Sequence, residues 1–361
     1  MPVTRIINVN VLDKNGRKRG NHLSFVASPG NIVSCEENES DVTINGNGYT
    51  VVPGLIDSKI DSGPSESALP LARSNGTTTV IDSSSSSLEC QAMRNAAASD
   101  PALPSYFASG SAIGASGYEL VSMFNYSGLQ TVTTVGEMRR LVETNIVSKQ
   151  SDFIKIIVDQ PGLELDVIQA AVTVAHRHGK LAVAQASQVE AYRLAVKCGF
   201  DILSPVPVDG ELDPELIQRI VRNRVGIIPT ICFLQRALPL WRSRHPEYQF
   251  SHALAAVKAL GDAGARICVG SSSNNWTGLS LPFGEGLHNE LQLLEEAGLS
   301  NVQLFEAVTS EPASVFRLDD RGVIEPGQLA DLIMVEGDPL QDIGSLSKIR
   351  SVWFRGVQGK I

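Results

Sequence analysis

The chain has 361 residues, 43% hydrophobic and 19% charged, proportions that suit one large folded domain with a small satellite better than several small domains. Its net charge is −9, and no basic cluster exceeds Arg139-Arg140 or the Arg242 to Arg244 stretch, so no nucleic acid is expected as a partner. The opening residues carry no signal-peptide core and no apolar run approaches the roughly 20 residues needed to cross a bilayer, which points away from membrane and towards a soluble, cytoplasmic protein.

Residues 1–52 read as short strands joined by turns. Arg5 to Val11 alternates apolar and polar residues, Asp13 to Gly16 is a turn, and His22 to Ala27 and Gly30 to Cys35 are further strands. The next stretch, Val51 to Gly63 (VVPGLIDSKIDSG), reads as one short buried strand ending in a polar, glycine-punctuated turn. Residues two apart in a strand face the same way, so Lys59 and Asp61 project together from its C-terminal end. That end is the expected active site. The plain structural role for the two is an ion pair, because a buried lysine and a buried carboxylate are costly unless paired.

Short apolar strands then alternate with helical stretches, the mark of a parallel α/β architecture. The strands following the first are Thr77 to Asp82, Ser105 to Ser109, Phe153 to Val158, Leu181 to Ala186, Asp201 to Ser204, Gly226 to Thr230 and Arg266 to Gly270. Apolar residues at three- and four-residue spacing place helices at Val135 to Ser148, Asp166 to His178, Gln188 to Cys198, Asp213 to Arg222 and His252 to Ala263. Eight strands with intervening helices specify a (β/α)8 TIM barrel, whose functional groups lie at the strand C-termini. Only about fifteen residues separate Asp61 from the Thr77 strand, a short first crossover that implies a trimmed first helix or a more open site.

The C-terminal segment returns to strands. Gly322 to Val335 is a turn followed by an apolar strand, and Ile349 to Arg355 is one more. The expected organisation is a discontinuous β-sandwich of residues 1–52 and 322–361 enclosing a barrel of residues 53–321. The five cysteines, Cys35, Cys90, Cys198, Cys232 and Cys268, are odd in number and lack CxxC spacing, which reads as buried reduced thiols.

Two motifs carry a family resemblance. The run Pro53-Gly54-Leu55-Ile56-Asp57 after a valine pair, and the Gly322 to Pro339 stretch of the form GxIxPGxxADLxxxxxDP, resemble signatures of the amidohydrolase superfamily, in its imidazolonepropionase and prolidase-like branch. The resemblance implies a distorted (β/α)8 barrel with a small sandwich and, in most members, a metal centre. Lys59 and Asp61 stand where that family's first two histidines would be, Gln185 and Pro205 where the strand-five and strand-six histidines would be, and Ser272 at the place of the strand-eight aspartate. Tyr118 matches a further histidine after the third strand. Lys155 matches the strand-four lysine, which binuclear members carry as a carbamate. Zinc needs three or four convergent ligands, so no metal and no cofactor are expected here.

The catalytic candidates are therefore Lys59, Asp61 and Lys155, with Tyr118, Gln185, Ser187, Ser272, Asn274, Trp276 and His288 as substrate-binding candidates. His288 opens the helix after strand eight, close to the barrel mouth, whereas the other histidines fall in the sandwich, at helix ends or in the segment after strand seven. The serine run Ser83 to Ser87 reads as flexible loop. Polar and clustered replacements favour a metal-independent lyase, isomerase, dehydratase or cyclase acting on a small-molecule substrate, since a desolvated lysine beside a carboxylate can act as base or nucleophile. A non-catalytic pseudoenzyme serving as a binding or scaffold protein, as in the collapsin response mediator proteins, is the first alternative. A hydrolase of C–N or C–O bonds with a rebuilt site is the second, and a homodimer is compatible with either.

Overall fold

Gly54 divides the stretch expected to be a single strand. Tyr49–Pro53 and Leu55–Asp61 are separate strands belonging to different sheets. A Cβ at Gly54 would lie 2.2 Å from Thr78 Oγ1, so only glycine lets the backbone pass from one sheet to the other. The computed structural model describes residues 3–12, 18–27, 30–34, 40–117 and 129–360; the 13–16 turn, Cys35 and Tyr118 lie outside the described residues.

Tyr49–Pro53 sits inside an eight-stranded sheet built from both ends of the chain. It pairs in parallel with Val3–Leu12 and antiparallel with Leu332–Glu336, from Leu332 opposite Pro53 to Glu336 opposite Tyr49. Ile6, Leu23, Phe25, Leu332 and Trp353 bury together beneath it, and the Phe25 and Trp353 rings meet edge to face at 5.7 Å. The two termini are thus tied to each other by main-chain bonds and by a shared core.

The barrel strands are Leu55–Asp61, Thr77–Asp82, Ser105–Ala108, Ile154–Ile157, Ala182–Gln185, Ile202–Ser204, Gly226–Ile227 and Arg266–Ile267. They lie in two parallel arcs. Asp152 N–H donates to Ala108 at 2.9 Å across one seam, and Ser58 N–H to Val269 at 2.9 Å and Ser272 N–H to Lys59 at 2.7 Å across the other. These bonds join the arcs into the α/β barrel that the alternating pattern predicts. The strands are shorter than the apolar runs, because the run ends extend beyond the ladder. The expected helices form within two residues of their predicted bounds.

Several elements escape the sequence pattern. Ala112–Gly114 and Leu129–Thr131 pair as short extra strands. The short first crossover holds a helix of only seven residues, Ala68–Ser74, the trimmed form its length implied. Two helices, Ser87–Ser99 and Ile231–Trp241, were not expected. The former buries only Cys90 and Met93, too few to show a periodic stripe, and the latter contains Pro239, which reads as a helix breaker. Among the described residues no helix is long and apolar enough to cross a membrane, and Cys90, Cys198, Cys232 and Cys268 are buried free thiols.

Leu55–Asp61 is buried along its whole length, as a parallel-sheet strand should be, yet it carries two aspartates, a serine and a lysine. Ile56 packs with Ile81, Phe153 and Val183, whereas Ile60 packs with Leu69 and Val80 in a different cluster. Four residues apart on a regular strand they would share a face. A register shift between Asp57 and Ile60 moves them to opposite faces and turns Lys59 and Asp61 to the barrel interior.

Candidate functional site

At the C-terminal end of the barrel lies a pocket of about 460 Å³, counting its open mouth. Apart from two aromatic residues on a helix, each lining residue comes from a strand end or the loop just after it, as the barrel architecture requires. Strand one contributes Lys59 and Asp61, the loop after strand two Ser84, strand four Lys155 and Ile157, and the position just beyond it Asp159. Gln185 and Ser187 follow from strand five, Pro205 from strand six, Phe233 and Trp241 from the helix after strand seven, and Trp276 from beyond strand eight. One wall is therefore aromatic and the floor carries two amines.

Lys59 and Lys155 are 4% and 2% exposed. Lys155 Nζ donates to Ser84 Oγ at 2.7 Å. Lys59 Nζ lies 5.5 Å from the centre of the Phe233 ring, a cation–π contact. The expected ion pair between Lys59 and Asp61 does not form: among the described residues neither amine has a salt bridge. Asp61 accepts a 3.3 Å hydrogen bond from Ser272, and its Oδ1 is buried without a hydrogen-bond partner among the described residues. Both lysines are pushed below their ordinary range, first by loss of solvent. Lys155 falls to about 7, with repulsion from Lys59 adding to desolvation and Asp61, Asp82 and Asp159 opposing it. For Lys59 the opposing carboxylates are Asp61, Glu290 and Asp159.

Two buried carboxylates hold the walls in place. Asp82 accepts from Ser62 N–H, from the Ser84 and Ser85 N–H groups at 3.1 Å, from the Ser62 and Ser85 hydroxyls, and from Tyr106 Oη at 2.9 Å. The serine run is thus a built turn and not a flexible loop, and it sets Ser84 against Lys155. Ser86 caps the next helix with a capping box. Glu290, fully buried on the last barrel helix, accepts from Ile231 N–H at 2.9 Å and Cys232 N–H at 2.7 Å. Those amides open the helix that carries Phe233 and Trp241, and its own N-cap, Thr230, supplies no side-chain cap. Burial raises Glu290 to about 8 and Asp57 to about 7. Asp57 receives the Ser271 hydroxyl at 2.6 Å and the Ser271 N–H at 2.9 Å, which pins strand eight to strand one.

Of the ten residues singled out from sequence, Lys59, Asp61, Lys155, Gln185, Ser187 and Trp276 line the pocket. Ser272 does not line it; in the left-handed region at φ 52°, it donates its hydroxyl to Asp61 and its N–H to the Lys59 carbonyl. Asn274 turns back on its own loop, donating to Ser272 O and accepting from Trp276 N–H. His288 points elsewhere, its Nε2 lying 3.0 Å from Asn75 O at the end of the short first helix, so it packs one helix on another. Ile157, Asp159, Phe233 and Trp241 were missed. Phe153, Lys155, Ile157 and Asp159 share one two-residue period, which was the available signal for two of them; Phe233 and Trp241 sit on the helix hidden by Pro239.

Residues 65–359 match the amidohydrolase family. The chain belongs to that family. Three solved structures illustrate the shared fold. A Xaa-Pro dipeptidase with bound methionine superposes with a TM-score of 0.84 at 20% identity, over 99% of this chain and 100% of its own. A molinate hydrolase gives 0.82 at 16%, covering 99% and 94%, and an ochratoxinase from A. niger gives 0.82 at 18%, covering 99% and 95%. No curated protein sequence matches the chain.

Amidohydrolase membership raises the question of a metal at this end of the barrel. Among the described residues no three His, Cys, Asp or Glu side chains come together to hold one. The groups that do converge are two amines, two carboxylates (Asp61 and Asp159), one amide and serine hydroxyls, with no imidazole or thiol among them and the Lys59 charge opposing a cation. This donor set does not fit the family's metal centre.

Proposed function

We propose that this amidohydrolase-family protein is a metal-independent enzyme of the lyase, isomerase, dehydratase or cyclase type, acting on a small organic molecule at the barrel mouth. The observation that carries the reading is Lys155, a buried amine that faces the pocket, has Ser84 as its one hydrogen-bond partner among the described residues, and is pushed by burial down to about 7. A neutral Lys155 amine serves as base or as nucleophile towards a carbonyl compound. The Lys59 ammonium, 4% exposed in the same pocket, stabilises the oxyanion that develops. Asp61 Oδ1, buried and without a hydrogen-bond partner among the described residues, is the acceptor we assign to relay the proton. The Phe233, Trp241 and Trp276 wall excludes water.

A second reading, a non-catalytic binding protein, draws support from how deeply the polar groups are buried, with Lys59, Asp61 and Lys155 each no more than 4% exposed. The two are separated by incubating the protein with a fractionated metabolite extract and following depletion and product formation by mass spectrometry. Lys59→Met, Asp61→Asn and Lys155→Met are each expected to abolish turnover with the fold intact. Retention of a small molecule without conversion favours the binding protein, and full activity in all three variants removes the barrel mouth as the site.

A further inference from the structure

We infer that the substrate is a small aldehyde or ketone bearing an aromatic or similarly planar apolar group, and that Lys155 binds it covalently as an imine. The inference rests on the reading of this pocket as an active site and deepens it by naming what enters.

Three features of the pocket converge on that chemistry. The first is an amine whose lone pair can be presented. Lys155 Nζ has one hydroxyl partner, Ser84 at 2.7 Å, and no salt bridge among the described residues, so no carboxylate locks it as an ammonium. The second is a cation in the same cavity that is itself unneutralised by a direct contact. Lys59 is 4% exposed and rests on the Phe233 face at 5.5 Å, without a hydrogen bond from Nζ among the described residues. Burying it there is costly without a partner, and a carbonyl oxygen or a carboxylate on the ligand supplies one. The third is the wall. Phe233 meets Trp241 at 6.0 Å and Trp276 at 6.1 Å, with interplanar angles of 65° and 90°. Edge-to-face rings present surfaces that a planar group fills with dispersion contact.

The condensation balances without any added oxidant or reductant. The Lys155 lone pair attacks the carbonyl carbon, the C=O π pair moves to oxygen, and nitrogen gives up one proton while oxygen takes one to give a neutral carbinolamine. The hydroxyl then takes a second proton and leaves as water while nitrogen forms the C=N bond and releases its second proton. Asp61 and Asp159 line the cavity and carry these protons.

The test uses the full-length protein with benzaldehyde or phenylpyruvate at pH 7, followed by borohydride reduction, intact mass measurement and peptide mapping. The expected result is one reduced adduct at Lys155, formed before any surface lysine reacts and missing from Lys155→Met. Lys59→Met removes the repelling charge, so its labelling at Lys155 should be slower at pH 7 and recover at higher pH. Faster labelling by phenylpyruvate shows that the carboxylate is used, and faster labelling by benzaldehyde that the ring and carbonyl suffice. Both support the imine. Labelling of surface lysines with Lys155 untouched overturns it. Phenylacetate, which lacks the electrophilic carbonyl, distinguishes the two levels of the reading. If it raises the melting temperature through the pocket while neither carbonyl compound labels Lys155, the pocket reading stands and the imine falls. If neither binding nor labelling occurs, both fall.

Discussion

Lys155 Nζ donates to Ser84 Oγ at 2.7 Å, and among the described residues this neutral serine is the one hydrogen-bond partner of an amine with 2% exposure. A group placed this way lowers stability when charged. Its pKa falls from 10.5 to about 7 in the folded chain. Below pH 7 both folded and unfolded states hold the proton, and the cost of burying the charge is fully present. As pH rises from 7 towards 10.5 the unfolded chain binds more protons than the folded one, so stability climbs.

Lys155→Met is therefore expected to melt higher than the parent at pH 6, by on the order of 2 °C or more, with a smaller gain at pH 9. Thermal melts at the two pH values check it. A gain that is equal or larger at pH 9 would show that Lys155 is charged and satisfied in the fold.

Metal content gives a second expected outcome. Purified protein should hold no stoichiometric zinc, iron or manganese, because the pocket sets two carboxylates beside two lysines and brings no third His, Cys, Asp or Glu ligand to them among the described residues. Lys155 should also be an unmodified lysine, since a carbamate persists only where cations hold it. Elemental analysis finding about one metal per chain, lost together with stability on chelation, would contradict the first claim. A carbon dioxide adduct at Lys155 in native mass spectra would contradict the second.

Asp82 is the hub of the strand-two turn. It collects six donors, among them the Ser84 N–H and the Tyr106 hydroxyl. Asp82→Asn turns one acceptor oxygen into a donor that faces other donors, at an expected cost of about 2–4 kcal/mol. Tyr106→Phe removes one bond and should cost about 1 kcal/mol. Urea unfolding of both variants measures the difference, and equal effects would mean that the carboxylate is not the organising group.

The sequence carried the barrel because parallel strands buried on both faces are continuous apolar runs, and the sandwich because its strands alternate. It also carried Lys59, Asp61 and Lys155, whose charges interrupt such runs. What it hid depends on long-range pairing. Glu290 lies 59 residues from Ile231, so nothing local marks it as a helix cap. The serine run looks like loop until Asp82 and Tyr106 are brought to it from separate strands. Asn274 and His288 looked functional by position, but rotamer and packing turn them to their own loop and to Asn75.

Glu290 tests whether the aromatic wall is held from outside the pocket. Glu290→Leu leaves the Ile231 and Cys232 amides buried without an acceptor, and at about 1–3 kcal/mol each this should cost about 2–5 kcal/mol. Glu290→Gln keeps one acceptor oxygen and should cost less, about 1–2 kcal/mol. The two also differ in pH dependence. Glu290 is raised from 4.5 to about 8, so between those values the folded chain binds more protons than the unfolded one and stability falls as pH rises. Glutamine does not titrate. The stability gap between parent and Glu290→Gln should then be widest near pH 5 and narrow by pH 9, because only the parent pays for ionising a buried carboxyl. In the leucine variant the helix that carries Phe233 and Trp241 should also loosen at its first turn, which near-ultraviolet circular dichroism reads from the tryptophan environment. A leucine variant with parental stability and an unchanged tryptophan signal would mean that the wall stands without Glu290.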